Sequence, residues 1–185
     1  EIVAFLNGAQ TLEDMVKYGC PRIFWERWVT AKKCADFGLE PGDLGLASYG
    51  SIWRRMPDRS GKPFDQIANV LDLARRFPNT RTLRITPWYP PEIIGSDGTR
   101  KVVVAPCHGD VHFHLYPESQ EMVLMHYQRS GDIPVGVQFN IVEYAALGMM
   151  FAKVLGYTFV ELVHYISDAH IYGQQIPFVE KLLDR

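Results

Sequence analysis

The stretch from Phe139 to Gly156, FNIVEYAALGMMFAKVLG, is the strongest helical signal in the chain and decides its fold class. Apolar residues occupy nearly every side of a helix drawn through it, which is typical of a helix buried in a protein core. Gly156 stands where a helix commonly ends in the left-handed conformation. The stretch therefore predicts a long buried helix and argues against an all-β fold.

The segments around this helix carry strand and helix patterns without strict alternation. Strands are predicted at 80–88, 102–108, 111–116, 122–130 and 160–166. Helices are predicted at 12–18, 23–38, 65–77 and 176–184. Thr11 and Asp14 form a capping box at the start of the first of these helices. A Gly- and Pro-rich loop is predicted at 39–50 and a turn at 96–99. Strands and long helices in this order predict an α+β fold.

The composition is that of one globular domain spanning residues 1–185, with 47% hydrophobic and 22% charged residues. A net charge of -2 argues against broad nucleic-acid binding. No uninterrupted apolar run reaches the roughly 18 residues of a membrane helix, so we expect no membrane association. The sequence begins at Glu1 without an initiator Met, and we expect an excerpt that lacks its N- and C-terminal segments.

The three cysteines, Cys20, Cys34 and Cys107, are odd in number and widely spaced. This pattern gives no disulfide framework and fits a reducing compartment, so we expect a cytoplasmic protein. By count alone, each cysteine is better explained as a small buried apolar residue than as a reactive thiol.

The stretch APCHGDVHFHLYPE, from Ala105 to Glu118, supports either of two chemistries. In the first, His112 and His114 share one strand face and Glu118 completes an HxHxxxE pattern resembling the metal motif of cupin barrels. Such sites need another imidazole from a later strand, and the corresponding position holds Phe139. Cupins are also all-β. We therefore expect no metal site.

In the second chemistry, Cys107 is a nucleophile and needs a positive group or base beside it. His108 and Arg129, the latter in YQRSGD, are the candidates. Taken singly, each motif has a structural explanation: QRSGD as a turn with a salt bridge, Asn140 as a helix cap, and the residues of SDAHIY as ordinary strand positions.

Taken together and in order, these segments resemble the thymidylate synthase family, which includes the pyrimidine nucleotide hydroxymethylases. The resemblance runs from Glu1 to about Tyr172, and the combination of PCH, QRSxD, FNI and DxHxY is specific. Its segments are EIVAFLNG, IFWERW, SYGSIWR, FDQI, NTR, APCH, YQRSGD, PVGVQFNIVEYAAL and SDAHIY. The resemblance implies a mixed sheet flanked by helices, with the sheet packed against that of a partner in a homodimer.

The resemblance also implies the reaction. Cys107 attacks carbon 6 of the uracil ring of dUMP, and carbon 5 captures a one-carbon unit from 5,10-methylenetetrahydrofolate. Arg129 binds the phosphate and favours the thiolate, and Ser130 shares the phosphate. Asn140 reads the base, because its amide both donates and accepts. An aspartate at that position would suit cytosine better.

Further roles follow from the same resemblance. Glu1 moves the proton from carbon 5, and His170 and Tyr172 hold the sugar 3′-hydroxyl. Trp25 and Trp28 line the folate end, where a dry site protects the reactive methylene. The remaining residues in this group are Asp132 over the pterin, Tyr49 near the thiol, and His108 supporting the thiol.

The chain departs from the family pattern where two adjacent arginines reach the partner's phosphate, because Thr82 follows Arg81. Arg84 lies on the same strand face as Thr82 and is a candidate to compensate for the missing charge. Two alternatives stay open: a pyrimidine nucleotide 5-hydroxymethylase acting on dUMP, dCMP or CMP, in which water quenches the methylene, and a non-catalytic nucleotide-binding relative.

Overall fold

The computed structural model describes residues 1–95 and 98–184 and combines helices with a mixed β-sheet. The helices are α1 (Ile2–Leu6), α2 (Leu12–Lys17), α3 (Ala31–Ala35), α4 (Tyr49–Arg55), α5 (Gln66–Arg76), α6 (Pro90–Ile93), α7 (Gln138–Leu155) and α8 (Ile176–Leu183). The strands are β1 (Met56–Pro57), β2 (Pro63–Phe64), β3 (Arg84–Ile85), β4 (Asp110–Tyr116), β5 (Glu121–Asp132) and β6 (Thr158–His170). Short 3₁₀ turns lie at Arg22–Phe24 and Gly173–Gln175, and a π turn at Ile133–Val137 leads into α7. The predicted α+β class is confirmed.

The main sheet has the strand order β3-β4-β5-β6, and β1 and β2 form a separate hairpin. β4 pairs antiparallel with both β3 and β5, whereas β5 and β6 are parallel. A parallel pair needs a crossover connection, and α7 supplies it between β5 and β6. The strongest helix of the sequence is therefore the element that makes the sheet mixed.

The two faces of this sheet differ in their cover. One face packs against α7, where the rings of Phe113 and Phe151 stack at 4.4 Å and those of His126 and Tyr144 at 3.6 Å. Gly148 permits this close approach, because a Cβ there would lie 2.3 Å from the Phe159 ring. The opposite face, called here the outer face, is formed around Met125, Tyr127, Val163 and Tyr165, and all four side chains are exposed.

Several predicted elements are confirmed because their signals are local. Thr11 and Asp14 form the capping box of α2, and Asp65 caps α5 through the Ala68 N–H. Gly156 ends α7 with φ of 81°. The strands predicted at 111–116, 122–130 and 160–166 lie within β4, β5 and β6, and the helix predicted at 176–184 is α8.

Other predicted elements are wrong. The single helix predicted at 23–38 is divided into a 3₁₀ turn and α3, because Thr30 accepts from the Lys33 N–H and begins a new helix. The segment 102–108 is irregular rather than a strand, and of 80–88 only β3 is extended. α4 begins at Tyr49, inside the predicted loop. The turn predicted at 96–99 lies partly outside the described residues.

The expectation that α7 is buried all round is wrong, and the helix is also long and apolar. Residues Ile133–Leu155 meet the length and composition of a membrane span, with a hydropathy of 1.3, although no unbroken apolar run suggested one. The helix is not buried all round: Leu147 and Phe151 face the core, whereas Val142 and Met149 are exposed. Its buried face packs on the sheet.

Candidate active site

Cys107 lies in the irregular segment between α6 and β4 and is held by hydrogen bonds on both sides. Its backbone N–H donates to the Tyr49 hydroxyl at 2.8 Å, and its carbonyl accepts from the Arg129 N–H at 2.8 Å. Val102 and Val103, just before it, are buried in the core. The half-buried thiol is therefore fixed between α4 and β5 without belonging to a strand itself.

The Arg129 guanidinium is placed against this thiol. Its Nη2 donates to Cys107 Sγ at 3.5 Å and to the Ala105 carbonyl at 2.8 Å, and its Nε donates to the Pro106 carbonyl at 2.8 Å. The two backbone bonds fix the plane of the guanidinium, so that its charge faces the sulfur. A nearby cation favours thiolate, the form of cysteine that acts as a nucleophile.

Cys107 lies where two cavities meet. The first, of about 460 Å³, brings together most of the residues predicted for the site: Glu1, Trp25, Trp28, Tyr49, Cys107, His108, Ser130, Asp132, Asn140, His170 and Tyr172. The second, of about 480 Å³, is lined by Arg129 together with Arg84, Trp88, Asp110 and Tyr127. The thiol is therefore reachable from two sides, and its cationic neighbour lines only the second cavity.

Arg81 lines neither cavity. Its side chain is exposed, and its carbonyl lies 3.0 Å from His112 Nε2. Arg84 does line the second cavity, where its Nε pairs with Asp110 Oδ1 at 3.0 Å. Arg84 thus brings a positive charge to the cavity that Cys107 also lines, as expected of a residue that compensates for the missing arginine at position 82. The Asp110 carboxylate partly neutralises this charge.

His108 lies beside the thiol but is buried. Burial, followed by the charges of His164 and Arg129, lowers the pKa of His108 to about 3. Its Nδ1 is 2.7 Å from the Tyr144 hydroxyl, and its ring packs on Tyr49 at 4.4 Å. The imidazole is therefore neutral at neutral pH. It supports the Cys107 segment by packing and hydrogen bonding, whereas the positive charge comes from Arg129.

Asn140 begins a chain of hydrogen bonds behind the first cavity. Its Oδ1 accepts from Gln128 Nε2 at 2.9 Å, and its Nδ2 donates to Glu143 Oε2 at 3.4 Å. Gln128 Nε2 also donates to the Ser130 carbonyl at 3.0 Å, and Gln128 Oε1 lies 2.9 Å from His164 Nε2. The Asn140 amide is thus oriented by partners on both of its sides.

The tryptophans stand at one end of the same cavity. Trp25 is buried, and its indole N–H donates to Glu1 Oε1, so it belongs to both the core and the site. Trp28 is 37% exposed, and its ring faces the Lys33 ammonium at 4.6 Å and the Arg27 guanidinium at 5.0 Å. Trp25 is therefore held in place by burial and a hydrogen bond, whereas Trp28 is open to solvent on one side.

The carboxyl ends of β5 and β6 supply the opposite side of the cavity. Their register places Asp132 beside His170. Asp132 caps the π turn through the Val135 N–H and accepts two bonds from Gln175 Nε2 at 3.0 Å. The rings of His170 and Tyr172 meet at 4.9 Å. Parallel pairing thus brings together two motifs, QRSGD and SDAHIY, that are separated in the sequence.

Sequence reasoning missed the polar layer between the sheet and α7. Gln128, Glu143, Tyr144, His126 and His164 support the residues of the cavity, and Gln128 also lines it. The position of Glu143, three residues after Asn140 on a helix, was the one available signal. The two histidines become neighbours only through the pairing of β5 and β6, which their positions along the chain do not indicate.

His112 and His114, the residues of the metal alternative, lie side by side on the outer face with ring centroids 4.2 Å apart. Within residues 1–95 and 98–184, they join no third histidine, cysteine or carboxylate in a group that could hold a metal ion. The strand that carries them belongs to a mixed sheet, and Phe139 lies in α7. The cupin arrangement is therefore not that of this fold.

Comparison with known protein families agrees with this geometry. The family described as thymidylate synthase matches residues 1–185, the whole chain. Its members are methyl- and hydroxymethyltransferases that act on pyrimidine nucleotides, generally with methylenetetrahydrofolate. A cysteine and an arginine between two cavities, with an amide oriented at the end of one of them, suit that chemistry. The chain belongs to the thymidylate synthase family.

Proposed function

We propose that this protein is a thymidylate synthase, converting dUMP to dTMP with 5,10-methylenetetrahydrofolate. The observation that carries the proposal is the Cys107 thiol held against the Arg129 guanidinium where two cavities meet. A cysteine adds to carbon 6 of a uracil ring more readily when a positive group lies beside its sulfur and the segment that carries it is fixed. Arg129 places a positive charge 3.5 Å from the sulfur, and the hydrogen bond to the Tyr49 hydroxyl holds the backbone that carries the thiol.

The proposed reaction can be written as a sequence of bonds made and broken that requires no metal. Cys107 Sγ bonds to carbon 6, and carbon 5 becomes nucleophilic and bonds to the methylene carbon of the folate as one of that carbon's two bonds to nitrogen breaks. Carbon 5 then gives its proton to Glu1, the remaining carbon–nitrogen bond to the folate breaks, and a hydride from the folate completes the methyl group. The folate leaves as dihydrofolate, and the sulfur–carbon bond breaks. Each residue needed for these steps lines one of the two cavities.

The orientation of Asn140 supports uracil over cytosine. A backbone carbonyl cannot donate, so Gln128 must turn its NH₂ group toward Ser130 and hence toward Asn140. Asn140 must then present its oxygen to Gln128 and its NH₂ group to Glu143. Asn140 Oδ1 then keeps one lone pair, which can accept from N3–H of uracil. Asn140 Nδ2 keeps one N–H, which can donate to O4 of uracil. Cytosine would require the amide reversed.

The Asn140→Asp variant tests this base preference. Aspartate offers acceptors only, so we expect its affinity for dUMP to fall about ten- to a hundredfold and its preference to move to dCMP. Calorimetric titration of parent and variant with both nucleotides measures the change, and the exposed Asn7→Asp is the matched control. An unchanged ratio of the two affinities would show that Asn140 does not read the base.

A 5-hydroxymethylase is the second candidate. The half-exposed Trp28 favours it, because a cavity open at that end admits water to the reactive methylene. Addition of Cys107 and capture of the one-carbon unit are common to both reactions. The product separates them: a methyl group with dihydrofolate, or a hydroxymethyl group with tetrahydrofolate. A non-catalytic relative would bind the nucleotide without exchanging the hydrogen at carbon 5.

We further propose that a second copy of the chain covers the outer face, in a homodimer. Tyr127 and Tyr165 stack at 5.6 Å there, beside the exposed side chains of Met125 and Val163. Tyr127 also lines the cavity that contains Arg129. A copy packed on this face would therefore close that cavity, and its own Arg81 could supply the charge that this chain's Arg81 does not bring.

Replacing Tyr165 by glutamate is expected to convert the dimer to a monomer. Tyr165 is 61% exposed in the single chain, and a charge at the centre of an apolar interface would lack a partner. Sedimentation equilibrium would report a halved mass, whereas Phe77→Glu, an exposed aromatic away from the outer face, should keep the parent's mass. A Tyr165→Glu variant with the parent's mass would contradict the proposed interface.

A further inference from the structure

The carboxyl groups of Glu1 and Glu143 lie within hydrogen-bond reach of each other at the wall of the first cavity. Both side chains are largely buried, at 14% and 12% exposure. Glu1 lines the cavity, whereas Glu143 does not. Glu143 contacts the site through Glu1 and through Asn140, its partner one helical turn earlier. Any role of Glu143 is therefore exerted through these two pocket residues.

Each carboxyl group has one oxygen bonded to a neutral N–H donor. The Trp25 indole donates to Glu1 Oε1, and the Asn140 amide donates to Glu143 Oε2. No lysine, arginine or histidine side chain in the described part of the chain forms an ion pair with either group. The backbone nitrogen of Glu1 lies 3.6 Å from Glu143 Oε1. Two adjacent buried carboxylates cannot both ionise easily, and such pairs share a proton.

The electrostatic surroundings agree with a shared proton. Burial, followed by the charge of Glu1, raises the pKa of Glu143 to about 8. The other titratable groups near the pair are uncharged at neutral pH. Burial raises the pKa of the Cys20 thiol to about 11, and burial also raises the pKa of the Tyr144 phenol.

We propose that Glu1 and Glu143 hold one proton between them at neutral pH, and that Glu143 is the positioning residue that keeps it there. The pair then offers one donor and one acceptor beside the base-reading Asn140. The donor suits a ring carbonyl oxygen, and the acceptor suits a proton released from carbon 5. This consequence for catalysis rests on the proposed function, whereas the shared proton does not.

Infrared spectroscopy of the full chain tests the shared proton without any substrate. The parent should keep the band of a protonated carboxylic acid at pH 7 and lose it as the pH rises through about 8. Glu143→Gln should lack the band at pH 7, and Glu180→Gln, an exposed glutamate on α8, should retain it. Absence of the band in the parent, or its persistence in Glu143→Gln, would overturn the proposal.

Thermal unfolding gives a second readout with a definite sign. The folded-state pKa of Glu143 lies above its ordinary value of 4.5, so its protonation stabilises the folded chain at low pH. That contribution is lost as the pH rises toward about 8. Burial lowers the pKa values of His108, His126 and His164, and these groups change stability mainly below their ordinary value of 6.5. Between pH 7 and about 8, the Tm of the parent should therefore fall more steeply than that of Glu143→Gln, and equal slopes would overturn the proposal.

The rate of turnover gives a third test, of the positioning role of Glu143. We expect Glu143→Gln to lower kcat at pH 7 by about tenfold or more and to change its pH profile, because Glu1 loses its proton-sharing partner. If the parent has no turnover, the proposed function fails while the infrared and thermal results still decide the shared proton. If turnover is present and the variant keeps the parent's profile, the positioning role of Glu143 is overturned.

Discussion

Cys107→Ala is expected to abolish exchange of the hydrogen at carbon 5 of dUMP, with a fall of about a thousandfold or more. Exchange requires the sulfur to bond to carbon 6, and no other thiol lines either cavity among the described residues. The variant loses the contact of the thiol with the Arg129 guanidinium but should still fold, because the bonds to the Tyr49 hydroxyl and from the Arg129 backbone N–H use the backbone of residue 107. Release of tritium from carbon 5 measures the effect directly.

Cys34→Ser is the matched control for this experiment. Cys34 is fully buried away from the cavities, and its thiol donates to the Asp43 carbonyl, a bond that a hydroxyl can replace. Its tritium release should match that of the parent. Substantial release from Cys107→Ala would mean that the addition to carbon 6 is not made by this sulfur, and the proposed chemistry would then be wrong.

Arg129→Lys is expected to have the second largest effect, although it keeps the positive charge. The guanidinium holds the Ala105 and Pro106 carbonyls and the Cys107 sulfur at once, and an ammonium on a flexible stem cannot reproduce that geometry. Loss of one or two charge-assisted bonds, at about 1.5–3 kcal/mol each, predicts a fall in kcat/KM of about a hundredfold or more.

Three measurements separate the roles of Arg129: steady-state kinetics, thermal unfolding, and the rate of Cys107 alkylation by iodoacetamide. The kcat/KM, the Tm and the alkylation rate should all fall. The Arg129 side chain both orders the segment that contains Cys107 and places its charge against the thiol. Arg76→Lys, which alters an exposed pair with Asp72 on α5, should leave all three at the parent's values. An Arg129→Lys variant with the parent's kinetics would remove Arg129 from the site.

The elements that could be predicted from the sequence are those with local causes. The long apolar stretch of α7 and the residue patterns of β5 and β6 are properties of their own sequences, and Gly156 marks the end of α7 by its backbone freedom. α4 could not be predicted, because YGSIW is held by tertiary contacts: Tyr49 stacks on Phe5 at 4.8 Å. Gly50 is pressed against α1, where a Cβ would lie 2.7 Å from Phe5 Cα.

The candidate site likewise contains residues that could be predicted from the sequence and residues that could not. The resemblance to the family gave the residues that carry the proposed chemistry, and the structure gathers them around Cys107 with the exception of Arg81. Gln128 and His164 remained hidden because their role depends on the parallel pairing of β5 with β6. Glu143 remained hidden because a lone glutamate on a helix is usually a solvated surface residue.

The most direct test of the central claim is incubation of the protein with dUMP and 5,10-methylenetetrahydrofolate, with dihydrofolate followed by absorbance and the nucleotide by mass. The proposed thymidylate synthase reaction predicts dihydrofolate in equal amount to a nucleotide heavier by the mass of one CH₂ group. A nucleotide heavier by CH₂O, formed without dihydrofolate, would contradict it and establish the hydroxymethylase in its place.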